Sequence, residues 1–143
     1  MHPRQDGAYN RLVTSITQAV TNVLSAQAGV AAAYLFGSMA TGAAGRDSDV
    51  DIAVLFTETP PHTLDSARFA LASQLEAAVG VPVDLVIVND APVDLRIRVL
   101  RQGRLLVDRD RSARIGFEVR TRNQAFDLEP VLTRYRSARV ARP

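Results

Sequence analysis

Two apolar runs, Val30 to Phe36 and Val50 to Phe56, frame a Gly37-Ser38 pair and an Asp49-Val50-Asp51 triplet, and no other feature restricts the fold as much. The first run reads as a buried strand that ends in Gly-Ser. The second reads as a strand that opens on two aspartates. Alternate side chains of a strand share a face, so Asp49 and Asp51 point the same way. Like charges this close repel, and each is costly when half-buried without compensation. A divalent cation removes both difficulties, and Mg²⁺, with its preference for hard oxygen ligands, is the expected one. A third acid, Asp84, lies inside the apolar run Val81 to Val88, where a solvated-surface explanation is weak. If that run pairs beside the second strand, the three carboxylates can hold two Mg²⁺ ions about 3.5–4 Å apart, an arrangement suited to in-line attack at phosphorus.

Gly37 lets the backbone approach a phosphate, and Ser38 offers a hydroxyl together with the amides of a helix start. Gly37, Ser38 and Ser48 are the expected nucleotide contacts. Asp49, Asp51 and Asp84 are the expected metal ligands and catalytic residues, with Asp84 drawing the proton from the attacking hydroxyl. Asp47, Asp49, Asp51 and Glu58 also imitate a calcium loop. That reading fails because Ile52 stands where such a loop needs glycine, and Ile52 to Phe56 is a strand.

The rest of the composition narrows the chemistry. The chain of 143 residues fits one domain, 1–143, with an arginine-rich helical part from about residue 109. It has no cysteine, which excludes disulfides, thiol catalysis and sulfur-based zinc sites. His2 and His62 are far apart in polar surroundings, so a histidine-based metal cluster is not expected. The N-terminus lacks the apolar core of a signal peptide and no run is long enough to span a membrane, so a cytoplasmic protein is expected. Every fixed positive side chain is an arginine. Residues 1–94 hold 4 Arg and 10 acids, net −6, and residues 95–143 hold 13 Arg and 5 acids, net +8. An acidic, cation-binding centre and a basic half that meets an anion or an acidic partner follow from that division. The basic half lacks the interleaved aromatics of a single-strand binding surface, so direct nucleic-acid binding is not expected.

Leu12, Val13, Ile16, Ala19, Val20, Val23 and Leu24 recur at helical spacing and predict an amphipathic helix from Asp6 or Gly7 to about Ala28. Ser38 is expected to cap a short turn of helix closed by Gly42, with a loop over 43–48. A helix from Thr63 or Asp65 to Val79 follows. A third strand over 81–88 carries a proline that favours an edge. A short helix ends at Gly103, and Arg104 to Val107 forms a fourth strand. The remainder is helical, with Pro130 expected to open a last helix. The fold class is α/β, about four strands in a mixed sheet flanked by helices.

The Gly37-Ser38 pair, ten residues and Asp49-Val50-Asp51 resemble the signature of the polymerase β-like nucleotidyltransferase superfamily. The segment from Leu95 to Asp110, and Phe126 to Pro130 with Tyr135, resemble the minimal nucleotidyltransferases, a group that includes the MntA-type antitoxins paired with HEPN-domain RNase toxins. That resemblance covers most of residues 30–140. It implies ATP as donor, Mg²⁺ as cofactor and transfer of AMP to a tyrosine hydroxyl of a cognate HEPN toxin, which is silenced, with a hetero-oligomer of the two proteins. Many relatives carry arginine where this chain has Thr41, so a phosphate or partner contact is missing there or supplied by Arg46. Two other readings stand beside this one. Nucleotidyl transfer to a small molecule of the aminoglycoside type usually needs a further domain, and a non-catalytic module could neutralise a toxin by contact alone.

Overall fold

Val30–Phe36 (β1) is buried along its whole length, as a continuous apolar run requires when both faces of its strand are covered. It is a central strand of a four-stranded sheet ordered β3-β2-β1-β4. The computed structural model describes residues 3–42, 49–59 and 65–140. β2 (Val50–Phe56) and β4 (Arg104–Asp108) run antiparallel to β1 on its two sides, and β3 (Val83–Ile87) runs parallel to β2. Pro82 lies just before β3, and β3 is an edge strand, where the missing proline N–H costs no ladder bond. The sheet is mixed, as expected.

Five α-helices lie among the described residues. They are α1 (Pro3–Ser25), α2 (Ser38–Thr41), α3 (Asp65–Val79), α4 (Val93–Gln102) and α5 (Arg111–Val140), and a 3₁₀ turn over Val88–Asp90 follows β3. One sheet face packs Val50, Ile52 and Val54 against Val13, Ile16 and Val20 of α1 and Leu71 and Leu75 of α3. The other packs Tyr34, Phe36, Ala53 and Leu55 against Val99 of α4 and Phe117 of α5. The period of two along β2 therefore turns Asp51 toward the α4 and α5 side, away from Ile52.

Several boundaries differ from the sequence reading. α1 begins at Pro3, a first-turn position at which the absent N–H is harmless, and stops at Ser25. Residues 81–82 and 88 fall outside β3. Pro130 opens no new helix and lies within α5, which runs unbroken for 30 residues. A proline there removes one backbone bond at a local cost of about 3 kcal/mol, and the turns on either side keep theirs. The expected loop over 43–48 lies outside the described residues.

α5 is held to the sheet by a polar network. The Tyr34 hydroxyl donates to Glu118 at 3.0 Å, and Arg114 bridges Asp108 at 2.9 Å and Glu118 at 3.0 Å. Burial, and then the Glu118 charge, hold the Tyr34 phenol well above its ordinary range, so it stays a donor. One turn of α5 beyond Phe117, Thr121 is fully buried, and its hydroxyl finds no partner among the described residues. Thr121→Val keeps the shape and removes that uncompensated group. It is expected to raise stability by about 1 kcal/mol, which thermal unfolding would show as a few degrees. A lower melting temperature would mean that the hydroxyl does have a partner.

Candidate active site

Gly37 follows β1 directly, at φ 71° and ψ −154°, a region of backbone space essentially closed to other residues. It occupies the cap of α2, so Ser38 lies in the first turn rather than capping it, as the sequence reading had it. Gly42 closes the turn in a left-handed conformation, as expected. The turn is braced from below. Met39 is buried in the α1 core, the Tyr9 hydroxyl donates to its carbonyl, and the Ala40 and Thr41 amides return to the Gly37 carbonyl. Ser38 is half-buried beside it.

The same point receives the acids. Asp51 is opposite Phe36, the last residue of β1, in the antiparallel ladder and opposite Asp84 in the parallel one. Partners in register share a face, so the backbone places the two carboxylates side by side on adjacent strands. A Cβ added to Gly37 would overlap a carboxylate oxygen of Asp51. The absent side chain of Gly37 is therefore the space that the Asp51 carboxylate fills. Asp49 is exposed just ahead of β2, and Asp84 is exposed on β3. A cleft of 500 Å³ between α3 and β3, lined in part by Arg68, Phe69 and Glu76, reaches Asp84.

Electrostatics ties these groups together. Burial pushes the Asp51 carboxyl above the usual carboxylate range, the Asp84 charge adds to the shift, Arg98 opposes it, and Asp49 adds a smaller push. Arg98 is exposed on α4, and its guanidinium carbon sits 5.5 Å from the centre of the Phe36 ring. That is a cation–π distance, and it holds a positive charge at the acidic site. The sequence reading missed Arg98. Nothing separates it from the other twelve arginines of the basic half except the fold that turns it onto Phe36.

The donor set suits a hard cation: carboxylate oxygens, no histidine and no thiol. Among the described residues, however, no three acidic or histidine side chains converge on one point. The strands bring Asp51 and Asp84 together and leave Asp49 at the rim. Binding an ion calls for the exposed Asp49 and Asp84 to turn inward toward Asp51. Ser48 and Arg46 lie outside the described residues.

Gly37→Ala combines backbone strain with displacement of Asp51. It is expected to lower stability by about 2 kcal/mol, read as a fall in melting temperature. An unchanged melting temperature would show that the Asp51 carboxylate does not depend on the space left at Gly37.

Comparison with known proteins agrees with this geometry. The family described as polymerase beta, nucleotidyltransferase, matches residues 18–112. The protein adenylyltransferase MntA of Shewanella oneidensis is 45% identical over 74 residues, which are 51% of this chain and 50% of that protein. This chain thus aligns with about half the length of that curated relative. A chain from the crystal structure of a toxin-antitoxin with AMP-PNP superimposes with a TM-score of 0.74 at 29% identity, covering 87% of this chain and 98% of that one. A chain from tri-AMPylated Shewanella oneidensis HEPN toxin in complex with MNT antitoxin superimposes with a TM-score of 0.66 at 26% identity, over 93% and 99% of the two chains. Among the described residues no helix is long and apolar enough to cross a membrane.

Proposed function

Because the chain belongs to the polymerase β nucleotidyltransferase family, we propose that it transfers AMP from ATP to a tyrosine hydroxyl of a HEPN-domain toxin and so neutralises it. The observation that carries this reading is the meeting of Gly37, Asp51 and Asp84 at the ends of three elements. The relative from Shewanella oneidensis bears the name protein adenylyltransferase, and the similar solved structures are described as toxin-antitoxin pairs. Both point to a protein acceptor and a hetero-oligomer of antitoxin and toxin.

Asp49 and Asp51 would hold Mg²⁺, with Asp84 as third carboxylate, and the ion would supply neutralisation of the triphosphate charge. The chain's own groups do the rest. Gly37 and Ser38 receive the phosphates on backbone amides and a hydroxyl. Asp84 accepts the proton of the tyrosine hydroxyl as its oxygen bonds to the α-phosphorus, and the bond to the β-phosphate oxygen breaks to release pyrophosphate. Arg98 offers its charge to the pyrophosphate as negative charge develops there. Catalysis of this kind is mostly positioning and charge compensation.

Enzyme and plain binder separate in a cell-based assay. Co-expression of a HEPN-domain toxin with the unsubstituted protein is expected to restore growth, and co-expression with the Asp49→Ala/Asp51→Ala variant is expected to fail. Equal rescue by both would show neutralisation by contact alone.

A further inference from the structure

α5 carries an apolar seam that no described helix covers. Ile115 is 41% exposed, Val119 48% and Phe126 80%. With Arg122 they follow steps of four, three and four, which puts all of them on one side of the helix. Phe117 and Thr121, on the other side, are the residues buried against the sheet. Steps of this kind form the seam by which one helix accepts another. Beside the seam, α4 and α5 enclose a groove of 330 Å³ lined by Ile97, Leu100, Ala125 and Phe126, by two arginines, Arg101 and Arg122, and by one acid, Glu129. Its lining is mostly apolar, with one arginine from each helix, Arg101 of α4 and Arg122 of α5, against the single acid Glu129.

We propose that this seam and groove seat an amphipathic helix of the acceptor protein, with its apolar side on Phe126, Ile97 and Leu100 and its carboxylates against Arg101 and Arg122. The inference rests on the reading that the chain acts on a protein. Charge selects the occupant. α5 holds seven arginines against three acids, so α5 of a second copy packed on this face would bring like charges together, whereas an acidic helix is attracted. Continuity with the site gives the surface a purpose. Ile97 and Arg101 line the groove from the short helix whose Arg98 lies over Phe36, beside Asp51. A partner seated there packs on the same short helix that carries Arg98, so docking becomes part of acceptor positioning.

The test uses the full chain and a HEPN-domain toxin whose growth arrest the chain relieves, with binding followed by calorimetry. Phe126→Asp is expected to weaken binding roughly 30-fold or more, as loss of an anchoring aromatic does. Arg122→Glu is expected to weaken it less and to reduce its dependence on salt. Both variants should melt like the unsubstituted chain and keep its stabilisation by Mg²⁺ and ATP, which shows an intact nucleotide site. If Phe126→Asp alters melting, Arg101→Glu, exposed on α4, replaces it with the same expectation. Unchanged binding by these variants overturns the inference. So does self-association of the chain that Phe126→Asp abolishes while toxin binding persists. Loss of binding by the variants, in a chain that transfers no AMP, upholds the docking surface and refutes the adenylyl-transfer reading. Equal transfer by all variants, at an unchanged KM for the toxin, refutes the surface alone.

Discussion

Asp51→Asn is expected to lower AMP transfer by about 10³-fold or more while raising the melting temperature of the metal-free protein. The two effects share one cause. Asp51 is half-buried, and burial, Asp84 and Asp49 all disfavour its charged form, with Arg98 compensating in part. Asparagine keeps the shape and loses the charge, so the repulsion between Asp51 and Asp84 disappears. The same loss removes the carboxylate placed most deeply in the proposed metal site. Stability purchased at the expense of activity is what a functional carboxylate shows, and a structural one shows the reverse. Thermal melts with and without Mg²⁺, run beside a transfer assay, decide the matter. An asparagine variant both inactive and less stable would make Asp51 a structural residue.

Arg98→Ala is expected to lower kcat/KM for ATP by about 10²-fold, the scale of a lost charge-stabilising contact. Its guanidinium lies over Phe36 and acts on Asp51, so its charge is directed at the site. Removing it leaves the site more negative. Affinity for Mg²⁺ alone should therefore hold or rise while affinity for ATP falls, and Arg98→Lys should recover only part of the loss, because an ammonium cannot stack as a guanidinium does. Separate titrations with Mg²⁺ and with ATP check this. A fall in both affinities would mean that Arg98 serves only to hold Phe36 in place.

The strands were legible because each apolar run is short and bounded by turn residues; Asp84 stood out in its run as a charge without a surface explanation, whereas the edge position of β3 leaves it exposed. The register that puts Asp84 opposite Asp51 was not legible, since it depends on how α3 returns the chain beside β2. Gly37 was read as room for a phosphate. The fold gives it a second partner in the Asp51 carboxylate, and that contact arises only when β1 and β2 pair. Arg98 and the α5 seam escaped for related reasons. One arginine among thirteen carries no mark, and the apolar side of a helix looks the same in sequence whether it is buried or bare. Pro130 misled because its effect is local, while α5 is long enough to continue past one missing bond.

Incubation of the chain with labelled ATP, Mg²⁺ and the HEPN toxin, followed by mass spectrometry of the toxin, tests the central claim most directly. The expected result is AMP on a tyrosine of the toxin, with the label abolished by Asp49→Ala/Asp51→Ala. No label on the toxin, together with full neutralisation by that doubly substituted chain, would contradict it.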